Sequence, residues 1–371
     1  MMHARLLPLV LCLPTAAWGQ TALPVGQEAD RPIAITLSPL FTIGGADAER
    51  VELTTVYPRD VAGTTDERVT FLDRTNSRVI TVGKTGRVEW VAGRRGQGPG
   101  ELRVPGFVVP NPDGFVSVWD NGKTALLNFD DTGKLHSEVR MADVGLAQGM
   151  RLRGLGDVMV ARSQGDRMLL LHRRGEVAVE VASRTNLPAR SVPSPECDLL
   201  DYPVRPIFAP DFLWDHANGL TVVNLDGSYA LQFRDASGRA WVARRGKAER
   251  RSTPALARER IGEGPNVSVS GGSPCRIPGS RILATAEIRP TIPAYSRLVI
   301  APDTTVWAVR YALPSEPAHA DLYSPRTGYL GTVALGAANP IGFRTDGAMI
   351  SLEVDDDEIP RIVVYSVGSR R

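Results

Sequence analysis

The chain has 371 residues, 43% of them hydrophobic and 6% aromatic, and its 43 Lys and Arg nearly balance 41 Asp and Glu. That length admits one large repeat domain or two ordinary ones, and a formal net charge of +2 gives no global attraction to nucleic acid or an anionic membrane. No apolar run reaches the roughly 20 residues a spanning helix needs, so no transmembrane segment is expected.

At the N-terminus, Arg5 is followed by the apolar run Leu6 to Ala17 and then by Ala17-Trp18-Gly19. A positive residue, a short apolar core and small residues at −3 and −1 predict a signal peptide over 1–19, cut before Gln20. Pro8 and Pro14 argue against a buried helix there. Leu11 before Cys12 argues against lipid attachment. The chain is therefore expected in the periplasm or outside the cell. Two cysteines remain after cleavage, Cys197 and Cys275. In an oxidising compartment such a pair reads as one disulfide, the alternative being two free thiols.

Gly and Pro are spread along the chain, and short β-rich runs recur between turn residues. Leu40-Phe41-Thr42-Ile43 is the first such run. Val69 to Asp73, Arg78 to Val82 and a turn at Lys84-Thr85-Gly86 follow. They are repeated by Val116 to Asp120, Ala125 to Phe129 and Asp131-Thr132-Gly133. Val69 to Val116, Asp73 to Asp120 and Gly86 to Gly133 are each 47 residues apart, the length of one four-stranded propeller blade.

Weaker copies begin at Asp157, Leu220, Leu298 and Ile341, with Ser163, Asn224 and Arg310 near the places of Asp73 and Asp120. The third copy has its turn at Arg173-Arg174-Gly175. The last copy ends at its third strand, Ile362 to Tyr365, so Leu40–Ile43 is expected to supply its fourth. These features predict an all-β, six-bladed β-propeller of four-stranded blades, with the N-terminal strand closing the last blade. A seven-bladed ring is the alternative. One propeller domain over 20–371 is expected to carry insertions near 193–210 and 244–290. The second would hold a short helix opened by Ser252-Thr253-Pro254 and running through Arg260.

The stretch Gly93-Arg94-Arg95-Gly96-Gln97-Gly98-Pro99-Gly100-Glu101-Leu102 resembles the inter-blade signature of bacterial secreted six-bladed propellers of the TolB-like/NHL type. The strand–Asp–turn–strand–Asp-x-Gly units are similar to theirs from about Leu40 to Val367. The resemblance implies a propeller fold and an exported location, and no particular reaction.

A phosphate loop would need a helix directly after the glycines, whereas Pro99, Pro105 and Phe107-Val108-Val109 follow. A tight crossover is expected instead, with Gly96, Gly98 and Gly100 at positive φ. Asp73 and Asp120 are expected to cap turns through backbone N–H groups, the alternative being a ring of metal ligands. His136, His172, His216 and His319 form no pair at ligand spacing. Asp211, Asp215 and His216 are the densest polar group near a blade entry and the one nominated channel cluster. Asp355-Asp356-Asp357-Glu358 reads as a charged hairpin tip rather than a calcium loop. Arg239 to Arg260 holds eight basic residues against Glu249 and Glu259, either a patch for an acidic partner or polysaccharide or a solvated insertion.

No catalytic or cofactor-binding set is legible. The preferred reading is a monomeric binding or scaffold module of the cell envelope for an unidentified protein, small-molecule or carbohydrate ligand. The alternative is a lactonase-like hydrolase or lyase with Ca²⁺ or Zn²⁺ on the channel axis.

Overall fold

The computed structural model describes residues 21–22, 29–45, 51, 53, 55–64, 66–110, 115–140, 151–153, 157–164, 167–174, 177–197, 199–267 and 275–369. The expected signal peptide (1–19) and the turn residue Gly175 lie outside the described residues.

Among the described residues, six four-stranded antiparallel units follow one another along the chain. The first comprises Val61–Gly63, Val69–Asp73, Arg78–Val82 and Val88–Ala92. The second comprises Pro105–Pro110, Val116–Asp120, Ala125–Phe129 and Leu135–Arg140. The third runs through Arg151–Arg153, Asp157–Gln164, Arg167–Arg174 and Val177–Thr185. The fourth holds Leu213–Ala217, Leu220–Asn224, Ala230–Arg234 and Ala240–Arg244. The fifth holds Tyr295–Ile300, Val306–Arg310, His319–Ser324 and Gly328–Ala334. The sixth takes Pro340–Phe343, Met349–Val354 and Pro360–Ser369 from the C-terminal stretch and Ile35–Gly44 from the N-terminal one.

The first strands of successive units adjoin one another, and the sixth adjoins the first, which closes a six-bladed propeller. The seam between the sixth and first blades is tight: a Cβ on Gly63 would lie 2.4 Å from the Phe343 carbonyl oxygen. The closing strand pairs antiparallel from Ile35 opposite Ser369 to Gly44 opposite Arg361. Sequence ends that would otherwise fray are thus held in one sheet.

Burial explains the strand composition. Val69–Asp73, Val116–Asp120 and Leu220–Asn224 are buried at every position, because these second strands are covered on both sheet faces. The outer strand Leu135–Arg140 is mostly exposed and correspondingly polar. The apolar clusters lie between blades: Leu72 and Val79 meet Val118 and Leu127, and Leu231 and Trp241 meet Leu298 and Tyr323.

Two long crossovers depart from the repeat. Between the third and fourth blades lies the hairpin Arg190–Ser194/Leu199–Val204. Between the fourth and fifth lie helices α1 (Pro254–Ile261) and α2 (Gly279–Thr285). The helix expected from Thr253-Pro254 forms: the Leu256 amide donates to Thr253 Oγ1 at 3.2 Å, and Pro254 needs no N–H partner in the first turn. A disulfide joins Cys197 of one crossover to Cys275 of the other. Val192, Ile207, Ala257, Ile277 and Ile282 pack between them, so the two insertions share one apolar core.

Candidate functional site

Strand antiparallelism sends every crossover, and every turn between a second and a third strand, to the same end of the ring. The two joined insertions, here called the cap, therefore share a face with the turns after Asp73, Asp120 and Arg310.

In the first two blades this face is held by local hydrogen bonds. Asp73 accepts from the Asn76 amide at 3.0 Å, from Asn76 Nδ2 at 2.9 Å and from Arg78 Nε at 3.1 Å. Asp120, fully buried, accepts from the amides of Arg103 (2.6 Å), Val104 (3.1 Å) and Lys123 (3.0 Å). The glycine run folds on itself, with Gly96 N donating to Leu102 O at 3.1 Å and Gly98 N to Glu101 Oε2 at 2.8 Å. Gly100 takes φ +73°, whereas Gly96 and Gly98 are not left-handed. At Gly96 the glycine serves a different need, since a Cβ would fall 2.0 Å from Glu101 Oε2.

The nominated channel group is distributed over three separate environments. Asp211 is exposed and pairs with Arg205 Nη1 at 2.8 Å. Asp215 is buried in the first strand of the fourth blade and accepts from the Ile300 amide of the fifth at 2.8 Å, tying the two inner strands together. His216 Nδ1 lies 2.9 Å from Thr221 Oγ1 on its own hairpin. Successive strand residues face opposite ways, so adjacency in sequence separates Asp215 from His216. Asp355 accepts from the Asp357 and Ile359 amides at 3.1 and 2.8 Å within a hairpin tip. Among the described residues, no three His, Cys, Asp or Glu side chains gather as a metal site.

The densest polar cluster lies elsewhere, at the seam of the fourth and fifth blades. Asp321, buried in the third strand of the fifth blade, receives five hydrogen bonds. Their donors are Arg245 Nη1 (2.9 Å), Arg310 Nε (3.0 Å), Arg310 Nη2 (2.7 Å), Tyr295 OH (3.1 Å) and Thr332 Oγ1 (2.7 Å). A second carboxylate enters from the N-terminal stretch. Asp30 accepts from Arg310 Nη1 at 3.0 Å, Arg310 Nη2 at 2.7 Å and Lys247 Nζ at 2.8 Å, and also from Arg245 Nη2.

Tyrosines wall this cluster. The Arg245 guanidinium sits 4.3 Å from the Tyr329 ring centroid, and Lys247 Nζ 5.8 Å from that of Tyr229. Tyr295 OH and Tyr323 OH are 2.6 Å apart. Burial pushes both phenols above their ordinary range. The Arg310 hydrogen bonds hold the Asp30 carboxyl far below the usual carboxylate range, against partial burial and with help from Lys247 and Arg245. Burial opposes the charge on Arg310, but its bonds to Asp30 and Asp321 outweigh that and keep it cationic.

The second insertion is basic: apart from the seam residues Arg245 and Lys247, Arg244 to Pro290 holds eight Arg against four Glu. Glu259 is engaged by the amide and hydroxyl of Ser315 at 3.1 and 2.6 Å, and Arg250 reaches Glu316 at 2.5 Å. Arg244, Arg251 and Arg258 are exposed.

Sequence reasoning did not find the Asp30–Arg245–Arg310–Asp321 cluster. The available signal was Arg310 itself, a cation where the first two blades carry Asp73 and Asp120.

No family model matches the chain, and no curated protein matches it. Solved structures do. A protein of Bacteroides fragilis whose name marks it as exported is 12% identical, with a TM-score of 0.52 over 94% of this chain and 99% of that one. A member of the DUF4221 family from Bacteroides vulgatus is 10% identical, with a TM-score of 0.47 over 91% and 99%. A virginiamycin B lyase from Staphylococcus aureus is 11% identical, with a TM-score of 0.41 over 93% and 98%. At these identities the likeness shows a propeller fold alone.

Proposed function

We propose that the chain is an exported binding module of the cell envelope, of the TolB-like/NHL kind, which works as a monomer and takes an acidic polysaccharide on its cap. One observation carries this reading. The long crossovers between the third and fourth and between the fourth and fifth blades share one apolar core and are cross-linked through Cys197 and Cys275. A rigid frame bearing an ordered, basic insertion is the usual way a propeller presents a binding surface. Arg244, Arg251 and Arg258 supply exposed guanidinium groups suited to carboxylates and sulfates. The disulfide suits an oxidising compartment, as does the leader expected over 1–19.

The test is retention of the exported chain on immobilised heparin and on neutral dextran at low and high salt. Salt-sensitive retention on heparin alone, weakened about tenfold in an Arg251→Glu/Arg258→Glu variant, supports the reading. Equal behaviour on both matrices, or indifference to the double variant, removes it.

A further inference from the structure

The stretch that leads into the closing strand forms a strap across three blades. Thr21 and Ala22 pair in parallel with Trp241 and Val242 on the outer edge of the fourth blade. Pro32 bridges Thr332 on the outer strand of the fifth, where the Ile33 amide donates to Thr332 O and the Thr332 amide to Arg31 O, both at 2.8 Å. The next described strand, Ile35–Gly44, completes the sixth.

The fifth blade is shaped for this crossing. A Cβ on Gly331 would lie 2.5 Å from Arg31 O and 2.6 Å from Ile33 Cγ1, so a side chain there would push the strap off. Beside the crossing, Asp30 drops its carboxylate among Arg245, Lys247 and Arg310. Without that carboxylate Arg245 and Arg310 would still share Asp321, and Lys247 would lose the carboxylate it binds, with the Arg245 side chain wholly buried and that of Arg310 14% exposed. Such a group of cations calls for an anion. The strap is nonetheless open to solvent: residues 29–32 are exposed, and Asp30 keeps 40% of its side-chain surface.

An extended segment laid on a sheet edge, with one side chain seated in a charged pocket, is the arrangement by which sheets take up peptides. We propose that Arg245, Lys247 and Arg310, with the Thr332 edge beside them, form a recognition site for an extended peptide bearing a carboxylate. The chain's own residues 30–33 fill it in cis, and an acidic peptide takes it in trans when the strap lifts. Tyr329 and Tyr229 lie under the Arg245 guanidinium and the Lys247 ammonium and so hold the site's own cations in place. The site is separate from the cap surface, so the proposal stands or falls independently of polysaccharide recognition.

The test uses the full exported chain carrying Asp30→Asn and a fluorescent peptide with the sequence of residues 29–34, made with Asp or with Asn at the second position. Anisotropy should show the Asp peptide binding this variant about tenfold more tightly than the Asn peptide, and more tightly than it binds the wild-type chain. Adding Arg310→Met to the variant should erase the preference. Equal affinity for the two peptides, or no binding by a folded Asp30→Asn chain, overturns the proposal.

A second measurement covers a variant that fails to fold. On the wild-type chain, excess Asp peptide should speed hydrogen exchange at the Ile33 amide by severalfold while Thr332 stays protected, because one strand replaces the other. Unchanged exchange at Ile33 overturns the proposal equally.

Discussion

The second and fifth blades use one position in opposite ways. At the end of its second strand the second blade carries Asp120, which turns inward and satisfies three backbone amides within its own repeat. The fifth blade carries Arg310 there, and its guanidinium reaches Asp321 across the sheet and Asp30 on the N-terminal strap. A carboxylate at this place makes a blade self-sufficient, because backbone N–H groups are always close by. An arginine needs anions instead: Arg310 finds Asp321 on the next strand of its own blade and Asp30 far outside the repeat. Regularity within the ring and contact beyond it are thus alternatives written at a single residue.

The sharpest way to break this contrast is to remove the shared anion. Asp321→Ala takes from Arg245 and Arg310 the buried carboxylate that both bind, and the expected loss is about 3–5 kcal/mol in urea unfolding. A loss under about 1 kcal/mol, the size of an exposed ion pair, would mean the seam is not built on this cluster. Next comes the cap above that seam. Cys197→Ser/Cys275→Ser releases a link across 78 residues and should cost about 2–4 kcal/mol, read in the same assay under non-reducing conditions. The second blade should respond less. Asp120→Ala strands three amides that can partly rehydrate at the turn, so about 1–3 kcal/mol is expected. If it matched or exceeded Asp321→Ala, local capping would outweigh the long-range cluster and the comparison would fail.

The same contrast explains what could be read from sequence. The 47-residue spacing from Val69 to Val116 is legible because the second strands of the first two blades are buried at every position and share one pattern, mostly apolar, with Thr70 matched by Ser117 and Asp73 by Asp120. The turn aspartates and the Thr253-Pro254 helix start are likewise local signals with local causes, whereas the cysteine pair is legible by count, since two cysteines remain after the expected leader. In the third blade the middle strands lengthen to eight residues each, against five in the first two, and the period fades accordingly. Asp30, Arg245, Arg310 and Asp321 meet only after the ring closes: Asp30 and Arg310 are 280 residues apart. No periodicity marks such a set, and a polar residue breaking the repeat at Arg310 was its one trace. The hydrogen bonds of Asp211, Asp215 and His216 go to Arg205, Ile300 and Thr221, partners that their closeness along the chain does not announce.

The smallest expected effect sharpens the comparison by isolating the strap. Asp30 is held ionised chiefly by its hydrogen bonds with Arg310, so its folded-state acidity lies below the ordinary value of 3.8. A carboxyl so depressed contributes stability that is fully present above that ordinary value and is lost as the pH falls below it, where the unfolded chain takes up a proton that the folded chain refuses. Asp30 is partly exposed, so solvent screening limits the contribution to under about 1 kcal/mol. Wild-type chain should therefore melt slightly above Asp30→Asn at every pH from about 5 to 8, and the gap should narrow on going to about pH 3. Asp120→Asn supplies the control from the self-sufficient blade: Asp120 bonds the amides of Arg103, Val104 and Lys123, away from the strap, and the exchange rate of the Ile33 amide should be the same in it as in wild type. A gap for Asp30→Asn that widened on acidification would reverse the sign and show that the strap is held by something other than its carboxylate.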